Sequence, residues 1–466
     1  MTDPTDVPAG TRPDVPAGTP AAAPAAAPAA APAAALTLRE RVLAASAGRD
    51  RVLDAAKVAA LALVVLGHQL AWTVLPAGGV VNTLDQAPGL WWVTWLLQWL
   101  PIFFFAAGAG LARSAGRRYP AYLSTRIVRL VAPAIPLIVL TMILSTWLAV
   151  SQGQALALAA GLLPVQLVWF LGIYLVIVSA APLLRRMTSP WWLLLGLVVV
   201  LAVDLMRFDL SPGLGWINLL VVWSLFAIAG VQAPLWRQAS VQLLVLLAVV
   251  LIGLAALAIW IGPYALALIS TDQLVGESNL APPTLVLALI GLAQICLLLA
   301  GWNRLDRWLS RDRVWVPVAV VASRSMGIYL WHMLLVAVVV GLVSRLGLAP
   351  SALSAGWWGL HLLAAIVVIG LAWVVAGLTR PWGDALHTVL GHLPRPLPSP
   401  LALLMALLAA VSLLGTAELG TYPALLDRPL LGLVPFVPAV GLAVLLLAVA
   451  LTPGRGAATR LPGTGP

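Results

Sequence analysis

Uninterrupted apolar runs of about 20 residues recur along this chain, and that is the length a helix needs to cross the hydrocarbon core of a bilayer. Twelve such spans are read, at 57–76, 90–112, 127–149, 165–184, 191–206, 216–234, 241–262, 283–301, 318–344, 356–379, 400–418 and 431–452. Run length selects helices over a barrel, whose strands are shorter and alternate polar with apolar residues. Charge content agrees, because only 9% of the 466 residues are charged and 62% are hydrophobic. A soluble globular protein carries roughly 25% charged residues, so most of this chain's surface must face lipid. The expected fold is all-α, a polytopic transmembrane helical bundle of about twelve spans.

Residues 1–35 stand apart. Asp-Val-Pro-Ala-Gly-Thr occurs at Asp6–Thr11 and again at Asp14–Thr19, and Ala/Pro triplets continue to Pro32. Such a segment buries nothing and reads as a disordered or polyproline-like tail. It lacks the basic start and apolar core of a signal peptide. The expected organisation is then a membrane domain at 36–380, a loop at 381–399, two additional spans within 400–452, and a tail at 453–466. The stretch 152–164 is apolar but contains Gly161 and Pro164, which suggest a re-entrant or interfacial piece.

Charge placement tests the span count. With the N-terminus in the cytoplasm, connections after even-numbered spans should carry the arginines. Arg113, Arg117, Arg118, Arg126 and Arg129 follow span two, and Arg185 and Arg186 follow span four. Arg304, Arg307, Arg311, Arg313 and Arg324 follow span eight. In all, 23 of the 26 basic residues fall on one side, leaving Arg207, Arg345 and Arg428 on the other. That other side holds Asp85, Asp204, Asp209, Asp272, Glu277, Glu418 and Asp427. The expectation is a multi-pass protein of the plasma membrane with both termini cytoplasmic. The net charge of +10 is then a topology signal, with no nucleic-acid partner implied.

Polar residues inside spans are the default candidates for chemistry, since hydrocarbon is a costly place for them. Span one opens Asp54-Ala-Ala-Lys57 and reaches His68; Lys57 is the sole lysine. Eleven helical positions put Lys57 and His68 within about 20° of each other on one face and about 16 Å apart along the axis. Lys57 is expected at the cytoplasmic rim and His68 past mid-membrane. A rim cation can hold phosphate and a deeper imidazole can act as general base; a snorkelling lysine and a histidine bonding its neighbours are the plain alternative. In span nine, Ser323-Arg-Ser-Met-Gly-Ile-Tyr-Leu-Trp-His332 sets His332 among aromatic residues, either a packed cluster or a second site. Arg126 and Arg129 share a helix face and can bind phosphate or anchor topology. Gly108 and Gly110 after Phe103, Phe104 and Phe105 fit close helix packing as well as a ligand role. The five histidines show no metal-ligand spacing, and lone Cys296 excludes a CxxC site and an intrachain disulfide. Serine-nucleophile, P-loop and dinucleotide signatures are not apparent.

Four blocks in order resemble the acyltransferase type 3 family of membrane O-acyltransferases. They are Leu53-Asp54-Ala-Ala-Lys57…Gly67-His68, similar to the family's basic-x10-His opening; Pro101-Ile-Phe-Phe-Phe105…Gly108 with Arg126…Arg129…Pro133; Trp169-Phe170-Leu171-Gly-Ile-Tyr174 with Pro182; and Met326-Gly-Ile-Tyr329-Leu330-Trp331-His332. Ser278-Asn-Leu-Ala-Pro-Pro-Thr284 resembles a bacterial branch of that family. Lys57 departs from the family's usual arginine, keeping the charge and losing the bidentate fork. Ala107 and Ala109 also stand where the family often has other residues.

The resemblance implies a ten-helix core, so spans eleven and twelve are an extension. It also implies transfer of an acyl group, acetyl first of all, from an acyl-CoA-type thioester co-substrate to a hydroxyl of a cell-envelope carbohydrate or glycolipid, with no metal. On that basis His68 is the expected general base or transient acyl carrier, with His332 as its orienter or a second base. Lys57, Arg126 and Arg129 are expected to hold the donor's anionic end, and Gln98, Trp169 and Tyr329 to line the substrate cavity. A non-enzymatic transporter is the competing class, since twelve spans with both ends inside is a common transporter plan. Against it, the two halves show no internal duplication. Oligomeric state is not legible.

Overall fold

The computed structural model describes residues 37–114, 116–269, 279–430 and 434–454. The expected tail at 1–35, the expected tail at 453–466 beyond residue 454, and Asp272, Glu277 and Ser278 lie outside the described residues. Two compact units are present, 1–47 and 48–466. The first contains α1 (Leu38–Ala45), opened by a capping box in which the Thr37 hydroxyl accepts from the Glu40 amide and the Glu40 carboxylate accepts from the Thr37 amide. These bonds hold the exposed Glu40 carboxyl below its ordinary pKa.

The second unit is a helical bundle. Its first helix, α2 (Arg51–Leu70), starts six residues before the expected span because Asp50 caps it, accepting from the Leu53 amide at 3.1 Å. The apolar run continues past Leu70 as a hairpin of β1 (Trp72–Val74) and β2 (Val80–Asn82), turned at Gly78 and Gly79, both at positive φ. Lys57 therefore stands nearly two turns inside the helix and His68 in its last turn. The second crossing is broken into α3 (Thr83–Gln86), α4 (Val93–Leu97) and α5 (Leu100–Arg113). Pro101 occupies the first turn of α5, where its missing N–H costs nothing, and Gln98 falls in the break.

Next come α6 (Tyr119–Val131) and α7 (Ile135–Ser151), flexed at Pro133. Arg126 and Arg129 are thus helix residues. Then α8 (Gln154–Leu162), α9 (Trp169–Ser179) and α10 (Ala181–Leu184) follow; the stretch read as re-entrant is α8, packed back on α7. The bundle continues through α11 (Trp191–Asp209), α12 (Ile217–Val231), α13 (Ala233–Trp236), α14 (Val241–Ile261), α15 (Leu285–Leu309), α16 (Asp312–Arg345) and α17 (Ala355–Leu390). Because α17 runs on past Pro381 to Leu390, the connection after it is 391–398 and shorter than the expected loop. It closes with α18 (Ser399–Leu419), a hairpin of β3 (Arg428–Leu430) and β4 (Val434–Phe436), and α19 (Pro438–Ala450).

Among the described residues, eleven helical segments are long and apolar enough to cross a membrane, and they correspond in order to the first eleven expected spans. The twelfth contains α19, whose 13 residues reach about 20 Å and fall short of a full crossing. Central and peripheral helices separate by burial. The segments containing α9, α12 and α15 are each 61% buried, whereas α11, α14 and α17 are 22%, 17% and 22% buried. The outer faces are leucine- and valine-rich, as on α14 at Leu246, Val249 and Val250. A helix apolar all round has its place in lipid.

Small residues set the tightest crossing. A Cβ on Gly108 of α5 would overlap the Ala227 carbonyl of α12, and one on Gly230 would overlap the Phe105 carbonyl. The notion of Gly108 as a packing residue is therefore realised in the structure. The bundle has one arginine-rich end, where Arg51 donates to the Leu309 and Ser310 carbonyls and Arg185 to the Leu111 carbonyl. At the opposite end the Trp95 indole donates to the Leu266 carbonyl and the Thr421 amide to the Gly161 carbonyl.

Candidate active site

Two histidines far apart in sequence meet inside the bundle. His332, fully buried on α16, places Nε2 3.4 Å from Nδ1 of His68 on α2. Carbonyl oxygens assign the tautomers, since a carbonyl only accepts. His332 Nδ1 lies 2.8 Å from the Tyr329 carbonyl and 3.2 Å from that of Ile328; His68 Nδ1 lies 2.8 Å from the Val64 carbonyl. Both Nδ1 atoms therefore carry hydrogen. The one hydrogen on His68 Nδ1 is shared between the Val64 carbonyl and, as the longer arm, the His332 Nε2 lone pair at 3.4 Å, and His68 keeps Nε2 as the base of the pair. All three contacts to backbone are i to i−3 or i−4 within a helix, so the helices themselves orient the rings.

His68 opens onto a cavity of about 570 Å³. Gln98, Trp169 and Tyr329 line the same space, with Gly67, Leu97 and Trp357 completing much of the wall. The helix break before Pro101 sets Gln98 there, and its buried Nε2 has no hydrogen-bond partner. A buried donor without an acceptor is exceptional in a folded chain. Tyr329 spends its hydroxyl on the Leu167 carbonyl at 2.7 Å, which fixes the ring between Phe170 and His332. Asn82, Thr83 and Thr94 add polar groups to a wall that is otherwise largely apolar.

Lys57, Arg126 and Arg129 are not among the residues lining this cavity; they lie towards the arginine-rich end. Lys57 Nζ is 2.6 Å from Asp54 Oδ1, and Arg49 Nε is 2.6 Å from Asp54 Oδ2, so the buried carboxylate holds two cations at once. On α6, the Arg126 guanidinium lies 5.1 Å from the Tyr122 ring centroid and that of Arg185 5.3 Å from the same ring. The buried Tyr122 hydroxyl lacks a hydrogen-bond partner. Arg185 and Tyr122 thus join the arginines that sequence reasoning singled out. Arg185 was legible only as a topology charge, and a tyrosine one turn before Arg126 gave no signal of its own. Phe104, Phe170, Tyr174 and Trp223 form a packed aromatic core of edge-on and tilted rings, and Phe170 carries these contacts to Tyr329 beside His332.

A second polar network, invisible in sequence, shapes the far wall. Buried Asp204 on α11 accepts from Asn218 Nδ2 at 2.9 Å, the Tyr264 hydroxyl at 3.0 Å and the Leu285 amide at 2.7 Å. Arg207 donates to the Pro282 carbonyl at 3.2 Å, and Asn279 to the carbonyls of Ala265 and Ala267. Burial and the adjacent Asp204 charge push the Tyr264 phenol above its ordinary pKa. Together these bonds hold the segments on which Ile269 and Leu280 reach the cavity. Among the described residues, no three His, Cys, Asp or Glu side chains are grouped to hold a metal.

Fold and site together define a polytopic membrane protein with an imidazole pair at the wall of a largely apolar cavity. Residues 50–377 match the acyltransferase type 3 model, described as an acyltransferase domain, and the chain belongs to that family. The protein is a membrane acyltransferase. No curated protein and no solved structure compared with it gave a match.

Proposed function

We propose that this chain moves an acyl group, acetyl in the simplest case, from a cytoplasmic acyl-CoA-type thioester to a hydroxyl of a cell-envelope carbohydrate or glycolipid. The observation that carries this reading is the His68–His332 pair, 3.4 Å apart at a cavity wall. As the acceptor oxygen attacks the thioester carbonyl, His68 Nε2 takes the hydroxyl proton. The C–S bond then breaks, and the departing thiolate receives that proton back from His68. His332 Nε2 accepts the His68 Nδ1–H and favours the imidazolium that forms between these steps. A relay through an acyl-His68 intermediate is the variant of the same chemistry.

The arginine-rich end faces the cytoplasm of a plasma membrane in this reading, which follows from the charge asymmetry. Lys57, Arg126 and Arg129, with Arg185, then hold the phosphates of the donor by charge and by guanidinium fork. The cavity lies towards the other end and receives the acceptor, with the Gln98 amide as a donor for a sugar oxygen. A transporter reading draws no support from the family match. The test is acyl transfer from labelled acetyl-CoA to envelope glycans by purified protein in proteoliposomes. Label on a glycan that needs His68 supports the enzyme, and solute flux without label on any acceptor contradicts it.

A further inference from the structure

Beside the histidine cavity lies a second one, of about 420 Å³, that the transfer chemistry does not use. Trp169 and Leu280 line both cavities and form their shared wall. The far wall comes from α18, where Val411, Leu414 and Glu418 form one stripe at i, i+3 and i+7, joined by Ala417. This helix lies wholly beyond residue 377, where the family match ends, so the wall is an addition to the family's catalytic region. Opposite stand Trp216 and Leu219 at the start of α12.

The position of the mouth identifies the medium it opens to. Val411 is 45% exposed while lining the cavity, and Leu220, beside Leu219, is 45% exposed as well. Apolar, exposed residues on membrane-crossing helices face hydrocarbon, so the cavity opens sideways into the bilayer. Apart from Gln166 and Glu418, its lining offers water few polar partners. A hydrocarbon chain passes from one apolar medium to another and is placed by shape. Glu418 lies seven residues beyond Val411, about 10 Å nearer the end away from the arginines. There a carboxylate accepts from hydroxyls and repels a phosphate.

We infer that this cavity seats the hydrocarbon chain of an uncharged, polyhydroxylated amphiphile. The chain enters between α12 and α18, and the headgroup reaches past Trp169 and Leu280 towards His68. The inference deepens the acyltransferase reading and rests on it for the headgroup's destination: the extension helix α18 selects an acceptor carried on a lipid tail.

The test is photolabelling in phosphatidylcholine proteoliposomes with a long-chain alkyl glucoside bearing a diazirine in mid-chain, followed by peptide mapping. Adducts are expected on 411–418 and around Leu219. Ala417→Trp, which fills the cavity, and Val411→Trp, which blocks its mouth at an exposed position, are each expected to cut these adducts by about tenfold. Labelling of lipid-facing α14 should stay constant in both, which also reports intact insertion. An alkyl phosphate of equal chain length should label 411–418 far less. His68→Ala should label like the parent protein, so loss of the transfer reaction and loss of this site are read separately. Labelling of 411–418 that neither tryptophan reduces, or that an alkyl phosphate matches, would overturn the inference.

Discussion

In the proposed mechanism His68 carries the chemistry and His332 conditions it, and the two roles predict different losses. His68→Ala should lower acyl transfer by about a hundredfold to ten-thousandfold, the usual worth of a general base, with normal expression. His332→Ala should cost about tenfold to a hundredfold, the loss of one hydrogen bond to a charged group. Initial rates on both variants check this, and equal losses would show that the rings act otherwise. Lys57→Arg should keep activity, because charge holds the phosphate, and Lys57→Ala should raise the KM for acyl-CoA about tenfold. Both histidines were legible in sequence as polar residues in apolar runs, one on the same face as a rim lysine. Their contact was not, since it spans 264 positions and no local periodicity encodes it. Gln98 was legible only as part of a motif; its orphaned amide depends on a helix break that Pro101 allows but does not by itself dictate.

Elements are placed by close backbone approach and by one buried carboxylate. Gly108→Ala and Gly230→Ala each set a methyl group against a carbonyl of the facing helix, and about 1–3 kcal/mol or more of stability should be lost. Thermal unfolding in detergent reads this as a lowered Tm. Asp204→Ala strands the Asn218 amide, the Tyr264 hydroxyl and the Leu285 amide, at a cost of about 3 kcal/mol or more. Because that network holds Ile269 and Leu280 at the cavity, the same variant should raise the acceptor's KM more than the donor's. The small block after the phenylalanines announced α5 as a packing helix, and the structure supplies Gly230 as its counterpart. Asp204 announced nothing beyond a charge near the end of a span. Its partners come from three other stretches, so its role is tertiary. The first helix was misplaced by six residues because Trp72–Leu75 is as apolar as a helix but turns back as a hairpin.

For the whole molecule, the order of crossings and eleven of the twelve expected ones were legible, because hydrophobic run length is itself the physical requirement for spanning. The 13-residue length of α19 was not, since Pro435 and Pro438 interrupt a run whose composition alone suffices. The proposed orientation rests on the basic residues. In a Cys296→Ala background, a cysteine at Arg117 should react with an impermeant maleimide only from the cytoplasmic side. One at Leu425, 81% exposed, should react only from outside. The reverse pattern would place the donor site on the wrong face of the membrane. The central claim, that thioester and alcohol meet at the paired imidazoles, is tested most directly by single-turnover transfer from labelled acetyl-CoA in sealed proteoliposomes with donor and acceptor glycan on opposite sides. Label should reach the glycan with the parent protein and fail to do so with His68→Ala, although both bind donor equally. Undiminished transfer by His68→Ala would contradict the account.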